Sequence, residues 1–385
     1  MMGFFTSPRL CIGPGSIEQL SSLGVRRALV VVDPTVADRG GDRRIREELL
    51  KDGAQVEVSR SVTLAPTLDS LAPGSRTASE FSPDWIVAVG GGSTIDTAKG
   101  IWLRYARPEL DLSSLTPLTE LRLRERARFV AVPTTSGSGS EATWMAHFWD
   151  AQRRPVEIAS RELVPDWALL DPTLPISMPA GITIDSAMDA LAHALEALAS
   201  AWSTLLSDGL AREAVGTLIP WLPEVLDHPE DLEMRGAVHS AATMAGLAIS
   251  NAQSGLVHAI AHAIGPRSGL SHGRLVAILL PWVLEFNFPA ARDAYQSLGG
   301  TLGAAAVQQA ASFGDWFRQF NGRLGIPSTL AAAGVDVQAL REQQAEWLPY
   351  VQSATSFGAN PRIPSANELV ALLARAFGEG RPPPL

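Results

Sequence analysis

The hydrophobic pattern of this chain changes period once, and that change restricts what it can fold into. Up to about Pro179, short apolar runs alternate with helical segments. The runs are Ala28-Leu-Val-Val-Val-Asp33, Gln55-Val-Glu-Val58, Trp85-Ile-Val-Ala-Val-Gly90 and Phe129-Val-Ala-Val-Pro133. Runs bounded by Gly, Pro or a carboxylate suit strands of a parallel sheet buried on both faces. The intervening segments 43–50 and 94–105 suit crossover helices, which makes the first part α/β. After Pro179, Ala/Leu-rich segments take over at 185–200, 210–219, 234–249, 257–264, 302–324 and 366–377. These predict an all-helical second part. Two prolines in Leu174-Pro175-Ile-Ser-Met-Pro179 interrupt both patterns. The expected organisation is an α/β domain over 1–178 and an all-α domain over 179–385.

Composition narrows the function. The chain has 385 residues, 46% hydrophobic and 18% charged, with a formal net charge of −9. That is a globular balance, and an acidic one, without the basic footprint of a nucleic-acid binder or of a surface that docks on anionic lipid. A single cysteine, Cys11, excludes an internal disulfide and a Cys-based zinc or iron–sulfur site. The opening MMGFFTSPRL does not read as a signal peptide, and no uninterrupted apolar stretch is long enough to span a bilayer. The expectation is a soluble, cytoplasmic protein that binds small molecules. Among 31 basic residues only Lys51 and Lys99 are lysines.

Three loops follow strands. Gly90-Gly91-Gly92-Ser93 leads directly into Thr94-Ile-Asp96-Thr-Ala-Lys99. Glycines let a backbone approach a ligand closely or take positive φ, and the N–H groups of a helix start hold an anion such as a pyrophosphate. The same run also reads as a tight strand-to-helix turn. Asp33 ends the first strong strand, the edge at which open α/β sheets bind ligands. It could accept hydrogen bonds from a ribose diol and repel a 2′-phosphate. Equally, it could cap the helix that Pro34 begins. Pro133-Thr-Thr-Ser-Gly-Ser-Gly-Ser-Glu141-Ala-Thr143 is rich in hydroxyls and could wrap a phosphate or a nicotinamide amide, or be a plain polar connection.

Four of the seven histidines cluster in the second part. Asp189 and His193 stand four apart, as do His258 and His262, and His272 follows in Ser271-His272-Gly273. A spacing of four puts both side chains on one helix face. Imidazoles with a carboxylate among small apolar neighbours suit a divalent transition metal, Fe(II) or Zn(II). Asp185, one turn earlier, is read as a carboxylate near the helix start, favoured by the dipole.

Taken together, these runs resemble the iron-containing (group III) alcohol dehydrogenases. The resemblance rests on Gly90 to Lys99, Pro133 to Glu141, Asp189-Ala-Leu-Ala-His193-Ala-Leu-Glu196, His258-Ala-Ile-Ala-His262 and His272-Gly273. It also includes Leu280-Pro281, Asn287 and Asn360-Pro361-Arg362. It implies a dehydroquinate synthase-like fold, a dinucleotide-binding α/β domain beside a helical metal-binding domain, with the active site between them. It also implies Asp189, His193, His258 and His272 as metal ligands and His262 as a non-ligand histidine near the nicotinamide. Asp33 would meet the adenosine ribose and favour NAD over NADP. Gly91, Gly92 and Ser93 would bind the pyrophosphate, and Thr134, Thr135, Ser138 and Thr143 would line the nicotinamide side. Fe(II) is favoured over Zn(II), and a homo-oligomer is expected.

Several positions depart from the family pattern. Ala187 stands where Gly is frequent. Pro155 stands where many members carry a cofactor-contacting lysine, leaving Arg154 as the neighbouring cation. The segment 265–271 lacks the usual aromatics, and Arg274-Leu-Val-Ala277 replaces an Ala-Asn-Ala run. Trp144, Met145, Ser356 and Phe357 fall at substrate-contacting positions. The expected reaction is hydride transfer between nicotinamide C4 and an alcohol or aldehyde carbon, with the metal as Lewis acid and His262 relaying the proton. Arg267 and Arg274 leave room for an anionic aldehyde such as phosphonoacetaldehyde. A dehydroquinate synthase-like lyase, a metal-free reductase of maleylacetate type and a degenerate non-enzymatic paralogue are the rivals.

Overall fold

The structure is a computed structural model that describes residues 5–378 apart from 64, 113, 114, 117 and 118. The first part is a parallel sheet with helices on both faces. Its elements are β1 (Arg9–Ile12), β2 (Arg27–Val32), α1 (Pro34–Asp38), α2 (Arg43–Lys51), β3 (Gln55–Ser59), α3 (Ala72–Phe81), β4 (Trp85–Gly90) and α4 (Gly92–Ala106). β5 (Arg128–Pro133), a hairpin of β6 (Met145–Trp149) and β7 (Pro155–Ala159), and β8 (Trp167–Leu170) complete it. The six-stranded sheet has the order β1-β8-β5-β4-β2-β3, every pair parallel, and β6-β7 forms a separate antiparallel ribbon.

The apolar runs become central strands because both of their faces are covered. Leu29, Val31, Ile86 and Ala88 pack with Ile95, Ile101 and Trp102 on one face. Ala28, Val30, Val32, Val87 and Val89 pack with Ile17, Ile45 and Leu49 on the other. Each strand thus splits its side chains between two layers with the period of two that a pleat imposes. β2 leads outward to β3, whereas β4 leads the other way to β5. The strand order therefore reverses between the carboxyl ends of β2 and β4, where such sheets form a binding crevice.

The second part is helical among the described residues. It comprises α5 (Ala180–Ala199), α6 (Leu205–Asp227), α7 (Leu232–Ala252), α8 (Leu256–Ser268), α9 (His272–Asn287), α10 (Arg292–Gln296), α11 (Gly299–Leu302) and α12 (Ala310–Arg323). α13 (Val337–Glu342), α14 (Gln344–Ser353), α15 (Thr355–Ala359) and α16 (Ala366–Phe377) follow. α5 is its axis: every residue from Ala187 to Ala199 is buried. The helix predicted over 302–324 is instead broken. Gly303, at φ 90, ends α11, and a Gln309–Ser312 capping box starts α12. β1, β6, β7, β8 and α9 have no counterpart among the predicted elements. None of the described helices is long and apolar enough to cross a membrane.

Candidate functional site

The glycine run works by close approach, not by positive φ. None of Gly90, Gly91 and Gly92 is among the residues with positive φ. A Cβ on Gly90 would lie 2.3 Å from the Thr94 side chain, one on Gly91 3.0 Å from Thr135 Oγ1, and one on Gly92 2.7 Å from the Ser138 side chain. The absent Cβ atoms let the second loop settle onto the start of α4. No side chain caps that helix start, so its N-terminal dipole faces the crevice. Lys99, fully buried one floor below, donates to Thr143 O (2.8 Å), Thr143 Oγ1 (3.2 Å) and Met145 O (2.9 Å). An ammonium with three donors reaches all three acceptors, which the flat guanidinium favoured elsewhere in this chain would not.

The second loop is pinned to the helical half. Glu141 Oε1 accepts from Thr243 Oγ1 at 2.7 Å, Ser136 Oγ and His239 Nδ1 lie 2.9 Å apart, and a Cβ on Gly139 would sit 2.4 Å from Gly246 Cα. These contacts fix the cleft between the two halves. Its volume is about 370 Å³, and Gly92, Ser93, Thr135, Ser138, Thr143, Asp189, His193, His258, His262 and His272 all line it. Asp33, Gly91 and Thr134 do not. Thr134 is buried behind the loop, with its N–H on Gly90 O at 3.0 Å. Asp33 Oδ1 caps α1, accepting from Thr35 N (2.7 Å) and Val36 N (3.2 Å), while its own N–H meets Val89 O at the end of β4. Asp33 is thus a helix cap that stands at the crevice.

At the far end of the cleft, three imidazoles converge on one carboxylate oxygen. Asp189 Oδ1 lies 3.3 Å from His258 Nε2, 3.5 Å from His272 Nε2 and 3.9 Å from His193 Nε2. Asp189, His258 and His272 present ligand atoms all within 4.8 Å of one another. The rings of His193 and His258 stack at 4.3 Å. Asp189, His193 and His258 are buried and His272 is half-buried, and donors gathered so from three helices are costly unless something joins them. Burial lowers His193 to about 3 and His272 to about 4, keeping both as neutral donors. Burial works to raise the Asp189 carboxyl, but His193, His272 and His258 outweigh it and hold it well below the usual range. A carboxylate with neutral imidazoles is a donor set that fits a divalent transition ion.

The helices are locked so that these side chains meet. Glu196, one turn beyond His193, places Oε2 2.5 Å from His258 Nδ1 and Oε1 2.6 Å from Val257 N. Asn360 Oδ1 accepts from Leu256 N at 3.1 Å and from Asn287 Nδ2 at 2.9 Å. The first turn of α8 is therefore capped by side chains from α5 and from the segment after α15. A carboxylate on the outer nitrogen of a ligating histidine fixes its tautomer and orientation. Burial works to lower His258, but Glu196 and Asp189 outweigh it and raise it to about 10, so this imidazole, unlike His193 and His272, must release a proton to serve as a ligand. The start of α9 is seated as tightly: a Cβ on Gly273 would lie 2.0 Å from Asp185 O, and Asp185 binds Ser271 Oγ (2.5 Å) and Arg274 Nε (2.7 Å). Asp185 thus clamps α9 and is not a mere dipole partner.

Other expectations need correction. Arg274 is held by Asp185, and Arg267 by Gln343 and Glu346. Neither lines the cleft, so the opening for an anionic aldehyde closes. Arg154 pairs with Asp150 and Gln152 and does not replace the missing lysine. Met145 lines the cleft, but Trp144 turns its indole to Ser250 O, and Ser356 and Phe357 are buried away from it. Sequence reasoning missed Glu196 as a working residue, although its spacing from His193 and Asp189 marks the same helix face. It also missed Asp96, His147 and Trp149, which all line the cleft. A lone histidine in the short β6 run was the available signal.

The comparisons agree with this geometry. Residues 7–172 match the family model described as iron-containing alcohol dehydrogenase, and residues 183–377 match the C-terminal model of the Fe-containing alcohol dehydrogenase family. The NADPH-dependent butanol dehydrogenase of Clostridium saccharobutylicum is 31% identical over 372 residues, 95% of each chain. The bifunctional aldehyde-alcohol dehydrogenase of Escherichia coli K12 is 33% identical over 406 residues, 94% of this chain and 44% of that protein, so the chain spans less than half of it. The solved iron-containing alcohol dehydrogenase of Thermococcus thioreducens superposes with a TM-score of 0.89 at 31% identity, over 98% of this chain and 100% of that one. With both halves matched and the aspartate–histidine cluster between them, the chain belongs to the iron-containing alcohol dehydrogenases, oxidoreductases that act on a CH–OH carbon.

Proposed function

We propose that this chain interconverts a neutral alcohol and its aldehyde or ketone, using a nicotinamide dinucleotide and one divalent metal, Fe(II) before Zn(II). The convergence of three imidazole nitrogens on Asp189 Oδ1 in a cleft of about 370 Å³ carries this reading. Asp189, His193, His258 and His272 are the proposed ligands. A bound ion there would supply Lewis-acid polarisation of the substrate oxygen, and the nicotinamide would supply or take the hydride. Gly92 and Ser93 at the start of α4 would receive the pyrophosphate, with Gly91 allowing Thr135 to close behind them. Thr135, Ser138 and Thr143 would flank the nicotinamide, with Thr134 supporting them from behind. Asp33 would hold the adenosine ribose and favour NAD, although one relative is named for NADPH. His262, lowered well below its usual range by burial and by its histidine neighbours, is a neutral ring beside His272. It is the proposed carrier of the substrate proton.

A division into domains 1–178 and 179–385 belongs to the same proposal, supported by β8 ending at Leu170 and α5 starting at Ala180. A cytoplasmic homo-oligomer completes it, supported by the single cysteine and by the family. The test is anaerobic turnover followed at 340 nm with NADH or NADPH and a panel of aldehydes. Metal-stripped protein is compared with protein reloaded with Fe(II) or Zn(II). Metal-dependent oxidation of NADH is expected. Full activity of the stripped protein would refute the metal role.

A further inference from the structure

The turn between α7 and α8 holds a residue in a conformation that only glycine takes without strain. Among the described residues, four other than glycine have positive φ: Ser82, Arg122, Arg153 and Gln253. The first three are exposed, and Ser82 and Arg122 lie in the left-handed helical region. Gln253 is buried and stands at φ 68 and ψ 154, outside that region and where a Cβ makes the main chain costly. The turn leaves it no freedom to relax. Its N–H donates to Ile249 O at 2.7 Å, and Asn360 and Glu196 fix the N–H groups of Leu256 and Val257 just beyond. Glycine stands at 255 in this turn but not at 253. The glutamine makes contacts that a glycine could not.

Gln253 Oε1 accepts from Ser254 N at 3.0 Å, which fixes the orientation of the amide and leaves Nε2 as the donor. Nε2 is directed at Met145 Sδ, 3.9 Å away. Met145 begins β6, whose side chains alternate between two faces. Ala146 and Phe148 pack in the sheet core, whereas Met145, His147 and Trp149 line the cleft. Met145 O is held by Lys99 Nζ at 2.9 Å, and the neighbouring Trp144 indole donates to Ser250 O near the end of α7. Met145 is thus tied at its main chain and at its thioether. A free methionine has three rotatable bonds and adapts to what it meets. One gripped at its sulfur is a fixed wall.

We propose that Gln253 is a specificity-determining residue that acts through Met145, holding that side chain rigid so that the cleft favours unbranched alcohols over those branched beside the reacting carbon. This rests on the alcohol dehydrogenase reading and extends it to the shape of the substrate. A fixed wall excludes an extra methyl group, whereas an adaptable one yields to it. The main-chain strain persists because the turn enforces it and because the amide needs that direction to reach the sulfur.

The test uses the metal-loaded enzyme with NAD and compares kcat/KM for 1-propanol and 2-methyl-1-propanol. The ratio of the first to the second should fall about tenfold in Gln253→Gly and in Gln253→Ala, since neither keeps the amide. The fall should come through a lower KM for the branched alcohol, with the KM for NAD unchanged. In a Met145→Leu background, which has no sulfur to grip, the same substitutions should change the ratio by less than about twofold. Gln253→Gly should also melt about 2 °C above Gln253→Ala, the reverse of the usual order, because glycine alone relieves the main chain. An unchanged ratio in both variants, an equal fall in the Met145→Leu background, or a glycine variant that melts no higher than the alanine variant would overturn the proposal. If the parent turns over 1-propanol and these results fail, only the role of Gln253 falls. If it turns over no alcohol or aldehyde while holding metal and NADH, the alcohol dehydrogenase reading itself falls, and this inference with it.

Discussion

The two ends of the cleft are built by opposite means. At the proposed cofactor end the working groups would be main-chain N–H groups, and what matters is the room left by absent atoms at Gly90, Gly91 and Gly92. At the proposed metal end the working groups would be side chains, and what matters is how each is held: His258 by Glu196, α8 by Asn360, α9 by Gly273 and Asp185. The first kind of site fails when something is added, the second when something is taken away. Single substitutions should therefore separate the two ends cleanly, one in metal content and one in cofactor binding.

The largest effect is expected from Asp189→Ala. It removes the oxygen on which three imidazoles converge, so metal content should fall and turnover should drop about a thousandfold. NADH binding, followed by fluorescence, should survive. An Asp189→Ala protein with full metal and full turnover would refute the ligand assignment. Glu196→Gln is the milder break at the same end. Losing the carboxylate behind His258 Nδ1 should weaken metal affinity about 10- to 100-fold, with little change in the KM for NADH.

Gly92→Ala is the matching break at the other end. Its Cβ would lie 2.7 Å from the Ser138 side chain, so the second loop must move off the start of α4. The KM for NADH should rise about tenfold with metal content unchanged. Adding Ser138→Gly should recover much of it, because the clash is with that side chain. A metal loss in Gly92→Ala would show that the two ends are coupled and would break the comparison. Asp33→Ser is a smaller change. Serine still caps α1, so stability should hold, while the NADP-to-NAD ratio of kcat/KM should rise about tenfold.

The same contrast explains what could be read from sequence. The central strands were legible because β2 beyond Arg27 and β4 throughout are apolar and buried on both faces. β1 was not, since Arg9-Leu-Cys-Ile12 is half exposed at the sheet edge and carries no alternation. The aspartate–histidine cluster was legible because polar side chains four apart in Ala/Leu-rich helices have few structural reasons to be there. The roles of Glu196 and Asn360 were not, because they depend on helix ends brought together by packing across the chain. The glycines were legible as a loop, but their reason was not. It lies in Thr135 and Ser138, which only the fold brings to them.

Lys99 gives the smallest effect and the finest test of the comparison, since it lies under the proposed cofactor floor and holds main-chain oxygens there. Burial lowers its ammonium from 10.5 to about 8, with Asp96 and Glu141 opposing. Between pH 8 and 10.5 the unfolded chain therefore holds more protons at this residue than the folded one. Its contribution makes stability rise with pH through that window, because folding no longer has to bury a charge there. Lys99→Met removes the titration and leaves Thr143 O and Met145 O without their donor. The variant should melt a few degrees lower, about 2–4 °C at pH 7. Its deficit should widen as pH rises from 8 to 10.5, because only the parent gains stability in that range. Differential scanning of parent and variant across the window checks this, the difference cancelling every other titrating group. Parallel curves would mean that Lys99 keeps its proton at ordinary affinity and that Thr143 and Met145 are held by the loop alone. With the expected divergence, an accompanying rise in the KM for NADH at unchanged metal content would place Lys99 at the cofactor end, as a side chain whose work is to hold backbone in place.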